Sequence, residues 1–175
     1  MFLRLPPRRR ALIAAALGAA AVAAVVGIVL SGGDDDEGAA PAVHANDVSK
    51  RATACLAADS ATASGGDLFG RVWSAMQTAG AQHDRNVQQL VVPAAGAEQA
   101  GPYLSGLVAQ RCDLIVTVGA PFGRASTGVA QASPAVRLTA VDSTLGSAPT
   151  NVTLVTGAEA EGRVAEQVGG LRPRT

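Results

Sequence analysis

The chain has 175 residues, enough for one ordinary domain of about 100 to 200 residues plus an extension, which argues against a two-domain enzyme. Its composition is 48% hydrophobic but only 3% aromatic, which excludes disorder throughout and argues against an aromatic surface for stacking bases. Fourteen basic side chains balance fourteen acidic ones, so no global field draws the chain to nucleic acid, and only the local layout of charge is informative.

That layout is uneven. Arg4, Arg8, Arg9 and Arg10 precede an uncharged apolar run, residues 11–30, and Asp34, Asp35, Asp36 and Glu37 follow it. Four of the fourteen basic side chains thus lie before the run, leaving ten against fourteen acids beyond it. A helix of that length spans about 30 Å, the thickness of a bilayer's hydrocarbon core. The run has no polar face, so a core helix does not suit it. An uncleaved transmembrane signal anchor is the expectation, with a cleaved signal peptide as the alternative; the run exceeds the usual apolar region of about 7 to 15 residues. Under either reading the positive-inside rule places the folded part outside the cytoplasm, and the anchor reading, with residues 1–10 in the cytoplasm, makes the chain a single-pass cell-membrane protein.

Residues 31–50 hold Gly, Pro and acids without periodicity and read as a flexible acidic stalk. His44 lies there without ligand-spaced neighbours, and the acidic run lacks calcium-loop spacing. No metal site is expected.

Residues 51–170 alternate strands and helices. Residues 51–59 read as a strand, 67–81 as a helix and 86–92 as a second strand. Residues 102–111 read as a helix with Pro102 at its first position, where the missing N–H costs nothing, and with Leu104, Leu107 and Val108 on its buried face. Residues 113–118 (DLIVTV) form a continuous apolar strand of the kind buried on both faces. Pro121 starts a helix that Pro134 ends, strands follow at 135–141 and 151–155, a last helix covers 158–169, and residues 171–175 form a fraying tail. Parallel pairing needs crossovers, so this rhythm predicts an α/β, doubly wound parallel sheet of flavodoxin-like type. Ligands of such sheets sit beyond the carboxyl ends of the strands. That edge carries Asp59 and the loop to Asp67, Gly119 to Phe122, Asp142 with Ser143, and Thr156 with Gly157.

Catalytic chemistry finds little support at that edge. His83 belongs to a turn at the opposite end of the layer, where it cannot serve a Ser-His-Asp set. No GxSxG elbow, phosphate loop or GxGxxG follows any strand, so no cofactor is expected. Asp59 and Asp142 could pair for acid–base work, but strand-end Asp residues more often cap the next helix or turn. Cys55 and Cys112 lie at the first and third strands, neighbours in a flavodoxin-like order. A disulfide would close a loop of about 57 residues and contribute on the order of 4 kcal/mol. Cys55 stands four residues before Asp59 and Cys112 six before Val118, and this stagger leaves two buried free thiols as the alternative.

The stretch CDLIVTVGAPFGRASTGVAQASPAVRLTAVDS, residues 112–143, resembles the basic membrane protein family of solute-binding proteins, the purine-nucleoside receptor-like components of ABC importers. Gly119, Pro134 and Asp142 fall at the family's spacings. The opening ACLAAD, with Trp73 fourteen residues beyond Asp59, and the closing NVTLVTGAEAEG are similar too, so the resemblance covers about residues 52–170. It implies one lobe of a type I periplasmic-binding protein, a small-molecule ligand such as a purine nucleoside, and an ABC permease as partner. Family members are two-lobed, and this chain has length for the first lobe alone. Where the family carries Ser-Phe-Asn this sequence has Asp67, Leu68 and Phe69, and the lipobox cysteine is replaced by the anchor. The resulting ligand set is Asp59, Asp67, Leu68, Phe69, Gly119, Phe122 and Asp142. The function expected is a non-catalytic, membrane-anchored, extracytoplasmic solute-binding-like protein. The alternative is an interaction or sensor module whose half-crevice meets a partner protein or a second copy.

Overall fold

The computed structural model describes residues 50–172. The expected basic tip, the apolar run at 11–30 and the stalk up to residue 49 lie outside the described residues, as does the tail from residue 173. No helix among the described residues is long and apolar enough to cross a membrane.

The strands are β1 (Thr53–Asp59), β2 (Asn86–Val92), β3 (Leu114–Val118), β4 (Arg137–Val141) and β5 (Val152–Val155). The helices are α1 (Ser60–Ser64), α2 (Leu68–Gln82), α3 (Ala97–Ala109), α4 (Ala120–Ala132) and α5 (Ala160–Gly169). All strand pairs are parallel, in the order β2-β1-β3-β4-β5. This is the doubly wound α/β sheet the alternation predicts. β1 and β3 lie inside it, and β3 is buried at every position. Their side chains alternate between two cores. Ala54, Leu56 and Ala58 with Val116 and Val118 meet α2 and α5 on one face. Cys55 and Ala57 with Ile115 meet α3 and α4 on the other.

Three local expectations change. α3 begins at Ala97, five residues earlier than expected, and Pro102 sits inside it. Gly96 supplies an extended cap, and the Gln99 side chain reaches back to accept from the Ala95 N–H at 2.7 Å, so the helix starts on those contacts rather than on proline. Pro102 is on the exposed side, where the ring and the lost hydrogen bond are borne most easily. Leu171 is not part of a fraying tail: it is 2% exposed and packs into the α2/α5 core. The loop expected after Asp59 contains α1.

The link from β4 to β5 has no helix. Leu145 and Ala148 of that link pack on the α3/α4 core instead, doing with a loop what a crossover helix does elsewhere. Asn151 fixes its end, its side-chain amide donating to the carbonyls of Ala130, Ser133 and Val136 at 3.2, 3.3 and 3.0 Å.

Cys55 and Cys112 are joined in a disulfide, with Cα atoms 5.9 Å apart across 57 residues of sequence. The stagger counted along the strands does not separate them, because Cys112 precedes β3. Arg111 takes a left-handed conformation at φ 62°. The Cys112 N–H is held by the Leu107 carbonyl. The Gln88 amide of β2 lies 2.9 Å from the Cys55 sulfur and 3.3 Å from that of Cys112. Replacing both cysteines by alanine is expected to lower stability by about 4 kcal/mol, read as a drop in the urea midpoint with a steeper slope, because the denatured chain without the crosslink exposes more surface.

Candidate functional site at the carboxyl edge of the sheet

β1, β3 and β4 end side by side at one edge, and the predicted site residues distribute around it. Asp59 closes β1 and is 5% exposed. Its two carboxylate oxygens are both occupied: one accepts from the Thr62 backbone N–H at 3.0 Å and the other from the Thr62 hydroxyl at 2.5 Å. Asp59 is therefore the N-cap of α1. Burial alone would raise the pKa of this carboxyl. The Thr62 hydroxyl and the backbone N–H groups of Thr62, Ala61 and Asp59 outweigh it and hold the group below its ordinary value of 3.8.

Gly119 closes β3 with φ 85°, a left-handed conformation that favours glycine. It also faces α1: a Cβ at this position would lie 2.5 Å from the Thr62 hydroxyl oxygen. Thr62 thus fills the gap between the ends of β1 and β3, the switch point where a ligand of such a sheet would enter.

Asp142 closes β4 at φ 47°, a conformation aspartate tolerates better than most residues. Its backbone N–H donates to the Val155 carbonyl at 3.0 Å, and its carboxylate accepts from the Gly157 N–H at 2.6 Å. The side chain is exposed and clasps β4 to the end of β5.

The other four predicted residues do not join these three in one crevice. Phe69 is buried in the α2/α5 core, and Leu68 packs half-buried beside it. Phe122 is buried in the α3/α4 core, on the opposite face of the sheet. The two rings cannot flank one ligand, because each belongs to the apolar stripe of its helix. Asp67 stands exposed at the rim, ion-paired with Arg71, whose Nε donates to Glu161 of α5 at 2.8 Å. His83 caps the C-terminus of α2, remote from this edge. Sequence reasoning missed Thr62, which carries the Asp59 cap; the spacing Asp-x-x-Thr just after an apolar strand was the available signal.

No family model matches the chain, the basic membrane protein family included, and no curated protein matches it. Solved structures do. A fragment of a protein designated a lipoprotein from Peptoclostridium difficile 630 is similar with a TM-score of 0.61 at 17% identity, the match covering 69% of this chain and 98% of that one. The lac repressor bound to ONPG is similar with a TM-score of 0.50 at 15% identity, covering 74% of this chain and 43% of the repressor, so this chain spans less than half of it. A branched-chain amino acid ABC transporter protein from Chromobacterium violaceum ATCC 12472 aligns at a TM-score of only 0.40 and 15% identity, over 61% of this chain and 34% of that one. At these identities the likeness concerns the fold alone, a doubly wound parallel α/β layer.

Asp59→Ala is expected to cost about 1 kcal/mol by removing the α1 cap. Because the folded pKa is depressed, ionised Asp59 stabilises fully above the unfolded value and progressively less as pH falls through the folded one. The stability difference between the natural chain and Asp59→Asn should therefore shrink as the pH is lowered below about 4, measured by urea unfolding across an acid series. Gly119→Ala should cost about 1 to 3 kcal/mol in the same assay, through backbone strain and the clash with Thr62.

Proposed function

We propose that this chain is a membrane-anchored, extracytoplasmic binding lobe of the solute-binding type, without catalysis, which makes its contacts at the carboxyl edge of its sheet. The observation that carries this reading is the gathering of the β1, β3 and β4 ends at one edge, with the exposed carboxylate of Asp142 among them. The Cys55–Cys112 bond supports an oxidising, extracytoplasmic location, with residues 11–30 as the tether and an ABC permease as a candidate partner.

The ligand class suggested by the resemblance is a purine nucleoside or a related small molecule. Phe69 and Phe122 are in the two cores, so a base would have to meet the rim around α1 and Asp142 rather than a stacking ring. A second reading, that the half-crevice meets a partner protein or another copy, gains from the internal occupation of the Asp59 and Asp142 carboxylates.

Calorimetric titration of the full chain in detergent with adenosine and guanosine separates the two. Saturable heat that Asp142→Ala abolishes supports the solute reading. No heat at millimolar nucleoside removes the nucleoside version and leaves the partner reading.

A further inference from the structure

The face formed by α3 and α4 carries a groove that its own chain leaves open. Both helices follow parallel strands and pack on the same face of the sheet, so they run side by side in one direction. The groove between them has a volume of about 380 Å³. A Cβ built on Gly101 or on Gly128, one on each wall, meets nothing within 4 Å.

The walls carry opposite charges at the same end. Glu98 stands in the first turn of α3 and Arg124 in the second turn of α4, both exposed and both lining the groove. Neither has an ion-pair partner among the described residues. Arg124 makes one long contact, 3.5 Å to the Thr144 hydroxyl.

We propose that this groove is a self-association surface, in which a second copy of the chain packs its own α3 and α4 on it about a twofold axis parallel to the helices. Such an axis sets α3 of each copy against α4 of the other with like ends level. Glu98 then faces Arg124 of the second copy, and the symmetry makes the same pair twice. A twofold axis in the interface but perpendicular to the helices brings the charged end of each groove to the end lined by Ser105 and Ala132, where the groove lining offers neither charge a partner. The small residues between the charges allow the helix pairs to approach closely. The parallel axis also points the entrances to β1 of both copies the same way, as two chains tethered to one membrane require. That agreement rests on the tether proposed above; the charge match does not.

Sedimentation equilibrium of the full chain in density-matched detergent tests the proposal. The natural chain is expected to be a dimer. Glu98→Arg and Arg124→Glu should each raise the dimer dissociation constant about tenfold or more, and the double reversal should return it to within about threefold of the natural value. Gly128→Trp should block the dimer while thermal unfolding remains cooperative, since its Cβ has open space in the single chain. Asp142→Asn, at the sheet edge, should leave the dimer unchanged, which separates this surface from the edge proposed for ligand. A monomeric natural chain, a double reversal no better than the single ones, a dimer that survives Gly128→Trp, or a dimer lost with Asp142→Asn would each overturn it.

Discussion

The architecture depends on the absence of a solvent face on β1 and β3. A parallel strand in the middle of a sheet exposes both of its faces to whatever lies above and below, and here every position from Ala54 onward in β1 and throughout β3 is buried and apolar or internally bonded. Each face therefore needs a helical layer, and the chain supplies two helices for each: α2 and α5 on one side, α3 and α4 on the other. The alanines of β1 leave room for large side chains from the helices, such as Met76 and Phe122, both fully buried. Burial of a side chain of this size contributes roughly 1.5 to 3 kcal/mol. The layer thus holds together with few aromatic residues, which is why the low aromatic content did not prevent a compact core.

The same constraint governs the sheet's carboxyl edge. Strands that end abruptly leave main-chain groups and turns to be satisfied, and aspartate at a strand end meets that need locally. Asp59 does so by capping α1, and Asp142 by bonding the backbone of Gly157. The acids that mark the edge in the sequence are consequently first of all architectural. What remains open to a ligand or partner is the rim they shape, together with the exposed side of the Asp142 carboxylate.

The fold was largely legible because periodicity reports burial. DLIVTV could only be a strand covered on both faces, and residues 86–92 match β2 at both ends. Strand order followed from parallel pairing and crossover geometry. What escaped depended on contacts distant in sequence. The start of α3 is set by Gly96 and Gln99 rather than by the conspicuous Pro102. Leu171 looks like tail, yet it finishes the α2/α5 core because α5 returns it to the sheet. The site was less legible than the fold. Phe69 and Phe122 lie near the same edge in sequence terms, but helices on opposite faces of the sheet take them apart, and only the placement of each helix decides which way a ring turns. Three of the predicted residues, Asp59, Gly119 and Asp142, do share the edge, because strand ends are positioned by the sheet itself.

Were the chain pulled between its two ends, the disulfide would decide which part bears the load. Tension entering at β1 reaches Cys55 after only two residues of the strand, Thr53 and Ala54, and from there passes through the covalent bond to Cys112. The intervening segment, which contains α1, α2, β2 and α3, is bypassed. Its 57 residues, about 190 Å of contour when extended, cannot be paid out by pulling. Force is carried instead along β3 and into β4 and β5, so the half of the lobe that begins at Cys112 bears the load.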